Sequence, residues 1–219
     1  MKKLFVLSLA VAAMGAQAQT WVENGNMNGN TGDAGDAIGT ADMTTGVGPL
    51  STITGRFVTA DADIYCVKVM DWRIFSATTD GLSGTLDTQL FLFSASGVGI
   101  ATNDDMGGAG GARSALTAGN ALYASRTNGE DVLIAVSRWN KDPRNAAGQL
   151  IFPNPFTGIN GPNAANGDYV LASWDATGGT GEGAYGIALT GTTYCVPEPG
   201  TIAALGLGAL VLIRRRRSK

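Results

Sequence analysis

Asp87, Asn103, Asp104 and Asp105 are the residues of this chain whose types and spacing best suit chemistry, and that chemistry is cation binding. A hard cation such as calcium takes six to eight oxygen ligands from carboxylates, amides and carbonyls, and loops can supply them. Asp87 precedes the apolar run Leu90-Phe91-Leu92-Phe93, and Asn103-Asp104-Asp105 follows a second run, Val98 to Thr102. If the two runs pair as a hairpin, Asp87 and Asp104 reach the same end of a sheet, with Asp80 as an outlying candidate. The competing reading is turn chemistry, in which Asp and Asn side chains satisfy nearby backbone donors.

The rest of the catalytic repertoire is thin. The chain has no histidine, which removes Ser-His-Asp and Cys-His catalysis, His-ligated zinc and the commonest general base near neutral pH. No phosphate-binding or dinucleotide fingerprint sits between a strand and a helix, so the Gly-Gly runs read as turns. Pairs of carboxylates could in principle cleave glycosides, but a chain with 18 acidic residues brings some of them together by chance. The expectation is a protein that is not an enzyme.

Cys66 and Cys195 are the only two cysteines. A bond between them would close a loop of about 130 residues and contribute at most about 4–5 kcal/mol by restricting the unfolded chain. The alternative is two separate thiols, with Cys66 buried in a strand. Nothing resembles C-x-x-C metal spacing.

The elements that would carry these residues are short strands. Asp63 to Met70 alternates, with Tyr65, Val67 and Val69 on one face and Ile64, Cys66 and Lys68 on the other. Ser51 to Val58, Trp72 to Thr78, Gln89 to Ser94, Val98 to Thr102, Asn120 to Ser125, Asp131 to Arg138, Asp168 to Ser173 and Ala184 to Thr190 complete the expected set. No stretch between the termini holds a helical period for three turns. Short strands separated by Gly/Asn/Asp turns predict an all-β fold, an antiparallel β-sandwich of jelly-roll-like design. Residues 19–48 read as an extended Gly/Asn-rich lead-in, and residues 49–195 as the sandwich domain. Asn140 to Gly167 is a long Pro/Asn/Gly-rich segment carrying Ile151, Phe152 and Phe156. Phe152 and Phe156 could form a contact surface, with Trp139 and Trp174 as stacking platforms, or fold back to cap one end of the sandwich.

The two termini carry addresses. Lys2 and Lys3, the apolar run Leu4 to Met14 and Ala16-Gln17-Ala18 form a secretory signal peptide, residues 1–18, with cleavage expected after Ala18; a buried N-terminal helix is the alternative. At the other end stand Val196-Pro197-Glu198-Pro199-Gly200, an uncharged apolar run from Thr201 to Ile213, and Arg214-Arg215-Arg216-Arg217. As a helix the apolar run would rise roughly 20 Å, short against a hydrocarbon core of about 30 Å. The arginines are expected to stay cytoplasmic, which leaves everything before Pro197 outside. With Lys2, Lys3, the arginine cluster and Lys219 all in the terminal segments and Glu198 alone among the acids there, the body carries a net charge of about −9 against −3 for the whole chain. An acidic exported domain has no electrostatic attraction for nucleic acid or anionic lipid, and could take divalent cations or neutral glycans.

The order of parts in residues 196–219 resembles the PEP-CTERM sorting signal of Gram-negative bacteria, which an exosortase reads. The resemblance implies processing by signal peptidase and exosortase, a transient inner-membrane anchor, and delivery to the cell surface or an exopolysaccharide matrix. An uncut tail anchor is the alternative. Within the body, Asp61-Ala62-Asp63-Ile64-Tyr65, Asp87-Thr88-Gln89-Leu90-Phe91-Leu92-Phe93-Ser94-Ala95-Ser96-Gly97 and Asn103-Asp104-Asp105 are similar to bacterial pre-peptidase C-terminal domains, as are Asp168-Tyr169-Val170-Leu171 and Ala184-Tyr185-Gly186-Ile187-Ala188-Leu189. That likeness implies a small non-catalytic β-sandwich, some relatives of which bind matrix polymers or calcium. No peptidase domain accompanies it here, and Gly129-Glu130-Asp131-Val132 stands where the family has Gly-Thr-Tyr-Tyr. The expected function is a structural or adhesive role in an extracellular matrix, with a carbohydrate-binding, calcium-dependent module as the second reading.

Overall fold

The computed structural model describes residues 19–23, 32–107, 111–154, 157–164, 168–176 and 181–197. The expected signal peptide, the apolar run and the arginine tail lie outside them. In chain order the strands are β1 (Gln19–Val22), β2 (Asp42–Met43), β3 (Thr45–Gly46), β4 (Leu50–Phe57) and β5 (Ala62–Val69). They continue with β6 (Ser76–Thr78), β7 (Thr88–Ser94), β8 (Gly99–Asn103), β9 (Ala115–Leu116) and β10 (Glu130–Arg138). The last five are β11 (Pro143–Arg144), β12 (Ser173–Trp174), β13 (Gly183–Thr190), β14 (Thr192–Tyr194) and β15 (Val196–Pro197).

Two sheets share one core. The first runs β1-β4-β13-β6-β9 and the second β14-β5-β10-β7-β8. Alternation decides what each strand presents: Tyr65, Val67 and Val69 of β5, Val132, Ile134 and Val136 of β10, and Leu90 and Leu92 of β7 face Leu50, Ile53, Phe57, Ile187 and Leu189 of the first sheet. The opposite face of the second sheet is equally dry. Ile64, Cys66, Phe91, Phe93, Leu133 and Ala135 lie beneath Ile151, Phe152, Leu171, Trp174 and Cys195. The unbroken run Leu90-Phe91-Leu92-Phe93 is apolar because both of its faces are covered.

The sheets are mixed where antiparallel pairing was expected. The central pairs are antiparallel, but β1 runs parallel to β4, β2 parallel to β5 and β15 parallel to β3. Each parallel pair involves the lead-in: β1 and β2 add to strands of the two main sheets, and β3 forms a separate two-stranded pair with β15. No short turn joins these segments to their partners, so no hairpin imposes the antiparallel direction.

Three strand assignments change. Asn120 to Ser125 is a turn: Tyr123 and Ala124 donate their N–H groups to the Asn120 carbonyl at 3.2 and 2.9 Å, and Asn120 Oδ1 accepts the Leu122 N–H at 3.0 Å. The Asn side chain thus competes with a strand ladder for backbone donors. The turn buries Tyr123 against Trp72 and Phe75, with ring centroids 5.9 and 5.6 Å apart. Of Trp72 to Thr78 only Ser76–Thr78 is a strand, because Asp71 Oδ1 accepts the Arg73 N–H and holds the preceding residues in a turn. Asp168 to Ser173 forms an isolated bridge, Val170 to Val98, before the short β12.

Candidate cation site and tethered sorting segment

The β7–β8 register pairs Leu90 with Asn103, so Asp87 and the Asp104–Asp105 pair stand at one end of the second sheet. Carboxylate oxygens of Asp87, Asp104 and Asp105 all lie within 4.8 Å of one another. Asp104 is 5% exposed, and neither of its side-chain oxygens has a hydrogen-bond partner. Asp87 Oδ1 is also buried without one. Burial, reinforced by the charges of Asp105, Asp87 and Asp142, pushes the Asp104 carboxyl up to about 7. Burial and Asp105 raise Asp87 as well, against the opposing pull of Arg138.

Two expected members have other partners. Asn103 Nδ2 donates to the carbonyls of Asp105 and Gly158, at 3.1 and 2.9 Å, and its Oδ1 accepts the Ala115 N–H at 2.6 Å. Its amide is a fastener between loops. Asp80 is exposed and pairs with Arg113 at 4.0 Å. Asp142, which no periodicity singled out, approaches from the covering layer: its Oδ1 accepts from Gln89 Nε2 at 3.0 Å, and burial raises it. Asp142 and Asp104 line a small cavity with Gln89, Thr102 and Asn154.

A second buried acid sits in the sandwich interior. Asp63 Oδ2 accepts the Tyr185 hydroxyl at 2.6 Å, and that hydroxyl lies 2.5 Å from the Tyr65 hydroxyl. Gly55 passes so close that a Cβ there would overlap the hydroxyls of both tyrosines. Burial raises Asp63 to about 9, opposed by the Tyr185 hydrogen bond and assisted by Asp61, Glu23 and Asp33, so it is a neutral acid at pH 7. The sequence carried a sign of this, since alternation puts Asp63 on the face of Tyr65, Val67 and Val69. Enclosed and wholly buried, it has no access to a substrate.

Phe152 requires a correction. It is 4% exposed and packs on Phe91 and Phe93, with ring centroids 5.8 and 5.7 Å away, so it is part of the covering layer and offers no contact surface. Phe156 lies outside the described residues. Trp174 is 9% exposed and donates its Nε1–H to the Asp36 carbonyl at 2.6 Å, while Trp139 is 50% exposed. The two do not form a shared stacking platform.

The chain end is fastened to the body. Cys66 and Cys195 form a disulfide with Cα atoms 5.6 Å apart. Thr44 braces it: its hydroxyl donates to the Cys66 carbonyl at 2.7 Å and accepts the Cys195 N–H at 3.1 Å, while its own carbonyl accepts the Val196 N–H at 3.0 Å. Val196 and Pro197 then pair with Thr45 and Gly46 and remain exposed.

Residues 196–217 match the PEP-CTERM protein-sorting motif. This motif is the recognition signal for exosortase processing, and it implies export and membrane-associated sorting before surface display. The match begins at the residue after the disulfide-bonded Cys195. Glu198, Pro199, Gly200 and Arg214 to Arg217 belong to it and lie outside the described residues. No helix among the described residues is long and apolar enough to cross a membrane. Comparisons with curated proteins and with solved structures found no match.

Proposed function

We propose that this chain is an exported, non-catalytic β-sandwich that an exosortase processes at its PEP motif and that then serves as a structural or adhesive component of an exopolysaccharide matrix. The observation that carries the proposal is the sorting-motif match at residues 196–217. The signal-peptide pattern in residues 1–18 supports the same route, since signal peptidase and a transient inner-membrane stage precede exosortase action. The absence of histidine and the enclosure of Asp63 support a non-catalytic role. The likeness of the body to pre-peptidase C-terminal domains rests on the Asp61 to Tyr65, Asp87 to Gly97 and Asn103 to Asp105 stretches.

The test is intact mass of the mature protein recovered from its host. Loss of residues 1–18 and of the segment beyond the PEP motif is expected, with the protein found in the surface or matrix fraction. A product that keeps the arginine tail would make the chain an ordinary membrane anchor and overturn the matrix reading. Saturable binding of a purified glycan would replace the structural role with that of a carbohydrate-binding module.

A further inference from the structure

We propose that the carboxylates of Asp87, Asp104 and Asp105 hold a calcium ion at the open end of the β7–β8 hairpin. Three observations on the structure meet there. The ligand oxygens fall within 4.8 Å of one another, which is the span of two Ca–O bonds of about 2.4 Å across one ion. Asp104 is buried, and both of its carboxylate oxygens lack a donor. Three acidic groups share the site, and Arg138 is the cation that opposes their charge at Asp87.

Turn chemistry accounts for an acidic pair after a strand only if the carboxylates accept local N–H groups. Asp71 does so elsewhere in this chain, accepting from Arg73 at 3.1 Å. Asp104 does not, and leaving a buried carboxylate unpartnered costs more than a typical hydrogen bond contributes. A bound cation removes that cost. The backbone carbonyls of Asp104 and Asp105 are occupied by Ser114 Oγ and Asn103 Nδ2, so the carboxylates supply the protein ligands and water completes the shell. An uneven set with two ligands from adjacent residues suits the loose geometry of calcium better than the strict octahedron of magnesium.

Two other groupings among the described residues are less suited. Cys66 and Cys195 near Asp131 are disulfide-bonded; in the Glu23, Asp33 and Asp63 grouping Asp63 Oδ1 lacks a partner, but both Glu23 oxygens accept backbone N–H groups, from Ala34 and Arg56, and Asp63 Oδ2 accepts the Tyr185 hydroxyl.

The test follows thermal unfolding of the full-length chain in EDTA, in millimolar calcium and in millimolar magnesium. Calcium at a hundredfold excess over its dissociation constant is expected to raise the midpoint by about 5–10 °C, and magnesium by much less. Asp104→Asn is expected to abolish the calcium shift while melting in EDTA no lower than the parent. Asp105→Asn, at a half-buried position, is the second variant and is expected to weaken calcium binding at least tenfold by titration calorimetry. No calcium shift in the parent chain, an equal shift with magnesium, or an undiminished calcium shift in both variants overturns the proposal.

Discussion

The disulfide from Cys66 to Cys195 joins the β5 strand, in the middle of the sandwich, to the residue immediately before the sorting motif. The start of the sorting motif is therefore held covalently close to the central sheet. The bond closes a separation of 129 residues, so the chain-entropy contribution has an upper bound of about 4–5 kcal/mol. Denaturant unfolding with and without reductant is expected to show a large loss of stability on reduction. An unchanged midpoint would mean that the bond is absent or energetically idle.

Thr44 is the hinge of that attachment. Thr44→Val keeps the shape but leaves the Cys195 N–H without its acceptor, at an expected cost of about 1–3 kcal/mol. Limited proteolysis should then cut sooner around residue 196 than in the parent, because the Cys195 N–H just before β15 has lost its acceptor while the backbone bond from Val196 remains. Equal rates of cleavage would assign the bracing to the disulfide alone.

Asp63 makes stability depend on pH in a defined direction. Its folded-state value, about 9, lies well above that of an ordinary aspartate, so the fold favours the protonated form. The contribution is complete below about pH 4 and is lost as pH rises toward 9, with a limiting slope of about 1.4 kcal/mol per pH unit. Tyr185, Tyr65, Asp61, Glu23 and Asp33 face this group, and Glu23, Asp61 and Asp104 are raised too. Comparison with Asp63→Asn isolates the Asp63 share. The variant is expected to lose less stability than the parent between pH 5 and 9; parallel curves would remove the assignment.

Phe152→Ala should destabilise by about 3–5 kcal/mol, as expected for an aromatic removed from a packed layer. Trp139→Ala, at an exposed position, should change stability by no more than about 0.5 kcal/mol. The pair, measured by thermal unfolding, separates the covering layer from the surface; a neutral Phe152→Ala would restore a surface role for that segment.

The long central strands were readable because alternation is local. Asp63 to Met70 is displaced by one residue at both ends from the observed strand, and Asp131 to Arg138 begins one residue late. The hairpin that gathers Asp87 and Asp104 followed from two apolar runs separated by a four-residue turn. The absence of histidine and the order of parts in the last 24 residues needed no fold at all.

Other features were decided only by distant chain meeting distant chain. A period of two says which residues share a face but not what covers it, so a fold-back of the Phe152 segment was one of two readings, and that it joins Leu171 and Trp174 over the outer face of the second sheet was not legible. Parallel docking of the lead-in, the role of Thr44 between Cys66 and Cys195, and the approach of Asp142 to Asp104 all join segments more than 20 residues apart. Asn103 shows the limit most clearly. Its residue type suits a ligand, and its position is where a ligand should be, yet Gly158 in a loop and Ala115 at the start of β9 take up its amide. Residue chemistry determined what this end of the sheet could do; tertiary pairing decided which oxygens were left free to do it.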